Sequence, residues 1–508
     1  MPMSRTGNMV RNMKWSYMGT LSTMILGFVV RTVLVHSLGR TFLGLNSLYA
    51  SVIGVLAIAE LGVGSILNTQ LYKPVAENDE KTIIAILQLY KKIYRIIAFV
   101  VLGIGLALLP YLDVFLKGAE NIDNAKGYYL FFLFNTVITY FVQYKFSISN
   151  AEQKNYINTN FDTISTLVMY ILQIISLLVF KSYFWFLFVN SLTLFIKALV
   201  ITFYMNKRYP VLNVREHYFL DDEKKNELKK NIIGGVANKF ADSAINQTDS
   251  MIISAFVNVD ALGLATNYVT LRGYVEKFTK PLLDNHGSTI GNFVSVESKE
   301  RKVLLMKTLQ LYALIIYGLS SLLLFFIATP FVKIWLGNDM TVTNDIVFMI
   351  ALGMLVSGVG DRPYVLFKGS HGIFHDDWYV SFVSAIVNLV VSIILAIPFG
   401  IVGVYIGTVC TNLVSVIWRP FIFYKKGTDD SVINYFIRLI RNFVIVFMTG
   451  FTCNFLFSQV AIDNVFLEII FRGVVVTVAF SVTCLVVFFR TEEFKYIIKL
   501  VKGIILRK

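Results

Sequence analysis

Cysteine and charge are scarce in this 508-residue chain. It has three cysteines and 15% charged residues, whereas soluble domains carry about 25% charged residues. Cys410, Cys453 and Cys484 all lie in apolar runs, and their number is odd. They therefore suit small core residues better than a disulfide framework or a metal site, and the low charge content argues against an ordinary soluble domain.

Sequence signatures of catalysis and nucleotide binding are also missing. The chain has no phosphate-binding glycine loop of the Walker type, no HExxH and no GxSxG. An ATP-driven pump or a hydrolase would need that chemistry, so we do not expect an enzyme. The segment HGIFHDD at 371–377 brings two His and two Asp together, but we interpret it as a loop. No cofactor and no bound metal are expected.

Long apolar runs are what the sequence has in abundance. The chain is 56% hydrophobic with a mean hydropathy of +0.66, and its apolar runs have the length of ~20 residues that crosses a bilayer. The alternating polarity of a membrane barrel strand is not seen. The sequence predicts an all-α polytopic membrane protein with about fourteen transmembrane helices. We place them at 14–37, 43–71, 89–112, 127–149, 161–180, 183–205, 231–257, 262–288, 305–329, 345–368, 378–398, 401–424, 436–459 and 465–489.

Basic residues are distributed unevenly between the predicted loops. With an even number of spans, both termini lie on one side, and 36 of the 46 Lys and Arg then fall in segments on that side. Such a bias marks the cytoplasmic face of a membrane protein. We therefore predict a multi-pass protein of the bacterial cytoplasmic membrane with both termini cytoplasmic. The net charge of +14 is explained by these loops, so nucleic acid is not an expected partner.

A charged loop and a short internal sequence repeat, called the echo below, suggest that the chain consists of two halves. The loop at 206–230 lies between the sixth and seventh spans, and LGLNSLYASV (43–52) resembles LGLATNYVTL (262–271). Chance similarity of apolar sequence is the alternative, but parallel repeats with a site at their interface are a known transporter plan. The predicted domains are an N-lobe at 1–205, the loop at 206–230, a C-lobe at 231–424, two extra helices at 425–490 and an amphipathic cytoplasmic tail at 491–508.

The seventh predicted span carries unusual polarity. Lys239, Asp242, Asn246 and Asp249 are spaced by three, four and three residues, which puts them within an arc of about 80° on a helix. Three unpaired charges would cost roughly 8–10 kcal/mol at the bilayer centre. The stripe therefore predicts an aqueous cavity or an ion site, in which Asp242 or Asp249 binds a coupled cation. A buried Lys239–Asp242 pair that only fixes helix packing is the alternative.

Charges inside other spans are further candidates. Arg31 and Glu60 lie far from the ends of the first and second spans, where snorkelling is difficult. They either face a cavity or pair with each other. Arg272 lies about ten residues into the eighth span, and Glu276 four residues further on permits a helical pair. We expect Arg31, Arg272 and Lys239 to bind an anionic head group and Glu60 to serve in coupling or gating.

Two further groups of residues allow a functional and a structural interpretation. Asp361 and Arg362, at the cytoplasmic end of the tenth span, form either a gate pair or a helix-end ion pair. Four polar residues of the second and eighth spans can hydrogen-bond sugar hydroxyls, although such residues also hold membrane helices together. These four are Asn46, Tyr49, Asn267 and Tyr268.

Several spaced segments carry a family resemblance. AELGVGSILNTQLYKPVAENDE, NKFADSAINQTDSMIISAF, GLATNYVTL and GVYIGTVCTNLVSVIWRP resemble the bacterial O-antigen and capsule repeat-unit flippases of the multidrug/oligosaccharidyl-lipid/polysaccharide exporter superfamily. The resemblance implies two six-helix lobes around a central cavity, alternating access and an undecaprenyl-pyrophosphate-linked oligosaccharide as substrate. It also implies basic cavity residues on the first, second and eighth helices. Arg31 and Arg272 match the first and the eighth, whereas the second helix here has no central Arg or Lys.

The resemblance defines the expected function and its rivals. The substrate would move from the inner to the outer leaflet for surface polysaccharide synthesis, with Na⁺ or H⁺ coupling left open. The expected partners are the lipid-linked oligosaccharide, membrane lipids, and a polymerase and glycosyltransferases, and the protein is expected to be a monomer. A cation-coupled multidrug exporter of the same superfamily is the alternative. A polysaccharide polymerase or glycosyltransferase would need a large outer loop, and the predicted outer segments are short.

Overall fold

The protein is described by a computed structural model that covers residues 5–60, 63–220, 247–284, 290–291, 297–371, 377–427 and 431–505. Within these residues every regular element is helical, which confirms the predicted all-α class. The chain forms two compact units, Met1–Gly263 and Leu264–Lys508. The predicted domain boundaries, including the separation of two extra helices, stay predictions.

The first unit contains helices α1 to α8 and the beginning of α9. They are α1 (Arg5–Leu38), α2 (Arg40–Leu56), α3 (Val63–Glu77), α4 (Glu80–Leu108), α5 (Ala125–Gln143), α6 (Phe146–Ala151), α7 (Tyr156–Phe180) and α8 (Tyr183–Arg208), followed by a helical stretch at 247–252, a π-helical turn (Ile253–Val257) and α9 (Val259–Asp284), whose later turns belong to the second unit.

The second unit continues with the helices that follow α9 in the chain. They are α10 (Lys299–Ala313), α11 (Leu319–Leu336), α12 (Asn344–Leu355), α13 (Arg362–His371), α14 (Trp378–Gly427), α15 (Val432–Ser458), α16 (Val465–Phe488) and α17 (Glu492–Ile505). π-Helical turns join α10 to α11 (Leu314–Gly318) and α12 to α13 (Val356–Asp361).

The helices have the lengths that a membrane demands. Among the described residues, nine helical stretches are long and apolar enough to cross a bilayer, so the chain is a multi-pass membrane protein. One of them, Tyr379–Ile422, has 44 residues, which is about twice the ~20 residues that one crossing requires. The predicted number of fourteen spans stays a prediction.

A glycine turns the long stretch into two helices. Gly400 has φ 57° and ψ −132°, a combination that residues with a Cβ avoid. The two arms fold back on each other, because the Ser392 hydroxyl donates to the Val404 carbonyl at 3.1 Å, and Gly407 packs against Ser392 so closely that a Cβ would overlap with it. This turn lies where the sequence separates the spans 378–398 and 401–424.

The second predicted span, 43–71, is not one α-helix. Helix α2 ends at Leu56, a 3₁₀ turn covers Ala57–Glu60, and α3 begins at Val63. The prediction of a continuous helix is therefore wrong at this point. Bulky neighbours lie at the break: a Cβ at Gly64 would collide with the hydroxyl groups of Tyr90 and Tyr94. Two tyrosines of α4 thus occupy the space beside the start of α3.

Each unit has its own buried core. In the first unit, apolar residues of α3, α4, α6, α7 and α8 form one cluster that includes Leu71, Leu87, Phe146 and Met205. In the second unit, α15 and α16 pack on the α10–α11 junction, where the side chains of Val446 and Phe480 lie against Gly318. Burial of this kind contributes roughly 1.5–3 kcal/mol per large apolar side chain to the stability of the fold.

Candidate functional site

The predicted site residues fall in both compact units, and each set is described within its own unit. The first unit holds Arg31, Asn46, Tyr49, Glu60 and Asp249; the second holds Asn267, Tyr268, Arg272, Asp361 and Arg362. Lys239 and Asp242, together with Asn246 of the predicted polar stripe, lie outside the described residues. The stripe and its ion-binding role stay predictions.

Helix α1 carries Arg31 in an apolar surrounding. The neighbours Val30 and Leu34 are buried, and Arg31 itself is half-buried. Asp249, in the helical stretch at 247–252, is also half-buried. A charged group in such a position is costly in a bilayer and by default indicates a functional site, so both remain candidates.

Asn46 and Tyr49 are tied to neighbouring helices. The Tyr49 hydroxyl donates to the Ala125 carbonyl at 2.6 Å, and its side chain is fully buried. The Tyr183 hydroxyl donates to the Asn46 amide oxygen at 3.4 Å. These contacts join α2 to α5 and α8, as expected for polar residues that hold membrane helices together. Asn46 is half-buried, and the role of both residues in sugar binding stays a prediction.

Glu60 sits at the break between α2 and α3. The Tyr94 hydroxyl donates to a Glu60 carboxylate oxygen at 2.5 Å, and the Tyr94 ring lies 4.8 Å from that of Tyr90. A hydroxyl–carboxylate hydrogen bond of this length is charge-assisted and strong. The carboxylate is therefore held by a tyrosine of α4 beside an irregular piece of backbone.

Arg272, Glu276 and Lys280 follow one another at a spacing of four residues on α9 and form a row of charges, called the ladder below. Its Nε donates to Glu276 Oε1 at 2.7 Å, which confirms that the pair allowed by the spacing forms. Lys280 Nζ reaches the other oxygen of Glu276 at 2.5 Å. Two cations thus share one carboxylate, so the ladder keeps one excess positive charge. The Arg272 and Glu276 side chains are only 23% and 15% exposed.

A glycine gives the Arg272 guanidinium its room. A Cβ built on Gly353 of α12 would lie 3.7 Å from Arg272 Nη1 and 3.9 Å from the Asn412 amide nitrogen. Asn412 in turn donates to the Gly353 carbonyl at 3.1 Å. The guanidinium therefore lies over bare backbone of α12, next to a polar side chain of α14.

Asn267 and Tyr268 are buried on the same helix. Both are 0% exposed, and the Tyr268 hydroxyl accepts from the Val342 backbone N–H at 3.3 Å. This bond fixes α9 to the segment before α12. The sugar-binding role of both residues stays a prediction, and the observed contact is a packing contact.

Asp361 and Arg362 do not pair with each other among the described residues. Asp361 accepts from Arg419 Nη1 at 2.8 and 2.9 Å, and Arg362 Nη1 lies 3.4 Å from Asp284. Adjacent residues on a helix point in directions about 100° apart, so they do not face each other. The expected mutual pair is wrong, and a gating role for either residue stays a prediction.

Sequence reasoning missed two groups of this structure. Arg419 also lies 3.3 Å from Asp377 and donates to the Ser381 hydroxyl at 2.9 Å, so it is the centre of a charge cluster in the second unit. Lys280 completes the ladder on α9. Its spacing of four from Glu276 is a usable signal, whereas no local spacing connects Arg419 with Asp361, 58 residues away.

The helices that carry the two segments of the echo, α2 and α9, contact each other near their N-terminal ends. Gly44 of α2 approaches Val259, and Gly263 of α9 approaches the Arg40 carbonyl, so closely that a Cβ on either glycine would overlap with backbone. Asp260 closes this contact, because it pairs with Arg40 Nε at 3.2 Å and accepts from the Thr41 hydroxyl. Gly44 and Gly263 occupy equivalent positions in the echo, so the first turns of equivalent helices meet within the first unit.

Comparison with known proteins gives a family from the sequence and similar solved structures from the fold. A family model described as polysaccharide biosynthesis protein matches residues 9–283. A sequence search of curated proteins gives no match. Among solved structures, the chain is similar to the lipid II flippase MurJ in an inward closed conformation, with a TM-score of 0.60 and 15% identity over 93% of this chain and 99% of that one.

Two transporters show the same fold. The chain is similar to a point mutant of the Vibrio cholerae MATE transporter VcmN, with a TM-score of 0.55 and 13% identity over 84% of this chain and 99% of that one. It is also similar to an inward-facing multidrug resistance MATE family transporter of the MOP superfamily, with a TM-score of 0.53 and 12% identity over 82% of this chain and 98% of that one. These likenesses establish a flippase- and transporter-type fold.

Proposed function

Because the chain belongs to the polysaccharide biosynthesis protein family, we propose that it is a flippase for undecaprenyl-pyrophosphate-linked oligosaccharides. It would move them from the inner to the outer leaflet of the bacterial cytoplasmic membrane for capsule, O-antigen or another surface polysaccharide. The observation that carries the proposal is the ladder on α9, where Arg272 and Lys280 share the single carboxylate of Glu276. The ladder keeps one excess positive charge on α9, where the Arg272 and Glu276 side chains are mostly buried.

The ladder suits the head group of such a lipid. An isolated charge transferred into hydrocarbon costs tens of kcal/mol by Born reasoning, so a pyrophosphate cannot cross the bilayer unassisted. Fixed guanidinium groups replace its hydration with short, charge-assisted hydrogen bonds. Arg31 and, from its spacing in the sequence alone, Lys239 would supply further positive charge, whereas the isoprenoid tail can stay in lipid.

Alternating access would carry the head group from one side to the other. An inside-negative potential favours the outward movement of two negative charges by roughly 4–5 kcal/mol per 100 mV. A coupled Na⁺ or H⁺ would add to this or reset the cycle, with Glu60, Asp242 and Asp249 as candidate carboxylates. In this proposal both termini are cytoplasmic, the protein works as a monomer, and glycosyltransferases and a polymerase act before and after it.

Alanine variants of the two arginines test the proposal. We expect Arg31→Ala and Arg272→Ala each to abolish surface polysaccharide while the amount of protein in the membrane stays unchanged. The measurement is polymer on the cell surface together with protein level, in cells whose own copy of the gene has been removed.

Arg472 provides a matched control. It also pairs with a carboxylate one helical turn away, Glu468 at 2.6 Å, and its side chain is 28% exposed, close to the 23% of Arg272. We expect Arg472→Ala to leave the polymer intact. Normal polymer in both Arg31→Ala and Arg272→Ala cells would contradict the flippase proposal and favour a cation-coupled multidrug exporter of the same fold.

A further inference from the structure

Three cations of the first unit, Lys91, Arg95 and Lys145, lie together with no acidic partner among the residues that the structure describes. Lys91 and Arg95 are one turn apart on α4. Lys145 lies beside this helix, because the next residue, Phe146, packs in one buried cluster with Leu87 of α4, and the charge of Lys91 repels those of Arg95 and Lys145. Among the described residues, none of the three forms an ion pair with an Asp or Glu. Like charges one helical turn apart destabilise a helix, so this cluster is unfavourable unless an anion compensates it.

The cluster extends from the surface into the unit. Arg95 is exposed, Lys91 is half-buried and Lys145 is only 5% exposed. The Lys145 ammonium donates to the Asn206 amide oxygen at 2.6 Å, a neutral partner that does not cancel its charge. Phe146, the next residue, belongs to the buried core of the unit, and this fixes the backbone that carries Lys145.

Apolar side chains begin one turn away from the cations. Phe99 follows Arg95 by four residues and Phe141 precedes Lys145 by four, and their rings pack edge to face with centroids 6.3 Å apart. Both are exposed, as are Ile96 and Val100 on α4. Helix α4 and the turn after α5 thus present basic groups at one level, and α4 and α5 present an exposed aromatic pair about four residues away along each chain segment.

From this arrangement we infer a binding site for an anionic phospholipid. The phosphate would lie against Arg95 and Lys91, with Lys145 behind them, and an acyl chain would run over Phe99 and Phe141. Arginine binds phosphate oxygens through two parallel N–H groups, and basic pockets between membrane helices are a known way to hold anionic lipid head groups. The distance of one turn between cations and aromatic rings matches a molecule with a charged head and an apolar tail.

A bilayer phospholipid fits these residues better than a free anion does. An inorganic phosphate would use the cations but leave Phe99 and Phe141 without a role. The site does not include Arg31 or Arg272, so it stands independently of the proposed transport function. A polyprenyl pyrophosphate has the same head-and-tail character and is a distinct outcome of the test.

The test measures lipid binding to the delipidated full-length protein by native mass spectrometry. Phosphatidylglycerol is the probe and phosphatidylcholine the neutral comparison. Each basic residue near an anionic membrane surface contributes to binding, and we expect Lys91→Gln/Arg95→Gln to weaken phosphatidylglycerol binding roughly 30-fold. The single variant Arg95→Gln, at an exposed position that does not threaten folding, should weaken it roughly fivefold.

Lys92→Gln is the matched control. Lys92 is adjacent to Lys91 on the same helix and exposed, but on another face, so its variant should bind phosphatidylglycerol within about twofold of the original protein. Binding by the unaltered protein should also weaken as salt is raised, because salt screens exposed charges.

Three results would overturn the inference. The first is unchanged phosphatidylglycerol binding in both Arg95→Gln and the double variant. The second is an equal loss in Lys92→Gln, which would indicate only a general effect of charge. The third is binding of farnesyl pyrophosphate but not of phosphatidylglycerol through the same residues, which would assign the cluster to a pyrophosphate lipid instead.

Discussion

At the scale of single residues, the charges within the apolar helices divide into those that spacing predicts and those that it does not. The Arg272–Glu276 pair follows from a separation of four residues on one helix. The bond from Arg419 to Asp361 joins residues 58 positions apart, and only the packing of α14 on the α12–α13 junction brings them together. Sequence patterns therefore identify local pairs, whereas tertiary partners require the structure.

Gly353 allows a residue-scale test of the space around Arg272. A Cβ there would make an ordinary contact with Arg272 Nη1 at 3.7 Å, so Gly353→Ala should retain transport. Gly353→Leu would fill the space beside the guanidinium. In the proposed function, the leucine would keep the head group from one charge-assisted hydrogen bond with Arg272. Such a bond is worth about 1.5–3 kcal/mol, so we expect the amount of surface polysaccharide to fall about tenfold or more.

The control for size is Gly103→Leu. Gly103 lies on α4, and no atom of the described residues lies within 4 Å of its built Cβ, so a leucine there adds the same volume on a helix that does not carry Arg272. Its polymer and protein levels should be unchanged. Equal loss of polymer in both leucine variants, or none in Gly353→Leu, would show that the space beside Arg272 has no part in transport.

At the scale of helices, apolar periodicity predicts where elements lie but not how closely they approach. The echo of 43–52 in 262–271 predicts two equivalent helices, and both exist as α2 and α9. That their first turns touch through Gly44 and Gly263 is a matter of tertiary packing that no single sequence shows. The break after Leu56 escapes prediction for a similar reason, because Tyr90 and Tyr94, which contact Gly64 there, belong to another helix.

Two glycines of α9 test this approach at the scale of the element. Gly263→Ala would place a methyl group into the Arg40 backbone, and overpacking of this kind costs about 1–3 kcal/mol. Gly273 has no neighbour within 4 Å of its built Cβ in the described part of the chain, so Gly273→Ala should gain up to about 1 kcal/mol of helix propensity. Thermal unfolding in detergent should show a lower midpoint for Gly263→Ala and an equal or higher one for Gly273→Ala.

The contrast between the two alanine variants is the critical comparison. They introduce the same methyl group on the same helix ten residues apart, and only the packing around each glycine differs. Similar unfolding midpoints for both would mean that the α2–α9 contact tolerates an extra atom, and the close approach of Gly44 and Gly263 would then contribute nothing to stability.

At the scale of the whole molecule, hydropathy predicts the fold class because a bilayer demands apolar segments of nearly fixed length. It also predicts the reversal of α14 near Gly400, where two apolar runs meet at a glycine. The site is less accessible from sequence. Candidate charges such as Arg31, Glu60 and Arg272 are visible as exceptions inside apolar runs, but their partners, Tyr94 for Glu60 among them, come from other helices.

The predicted orientation gives a test of the whole chain. If both termini are cytoplasmic, the segments that contain Asp123 and Asp339 lie outside and those that contain Lys81 and Asn155 lie inside, and all four residues are exposed. Single cysteines at these positions should therefore react differently with a membrane-impermeant maleimide added to intact cells. We expect labelling of Asp123→Cys and Asp339→Cys, and labelling of Lys81→Cys and Asn155→Cys only after the membrane is opened.

The native cysteines set the background of this experiment. Cys453 and Cys484 are buried and Cys410 is half-buried, so a variant with all three replaced by alanine should fold and give no signal. Labelling of Lys81→Cys in intact cells would show that the orientation is the reverse of the predicted one, because the basic segments would then face outward. Asp123→Cys and Asp339→Cys lie in different compact units. Labelling of only one of them would require an odd number of spans between the two sites, and the even count on which the positive-inside assignment rests would fail.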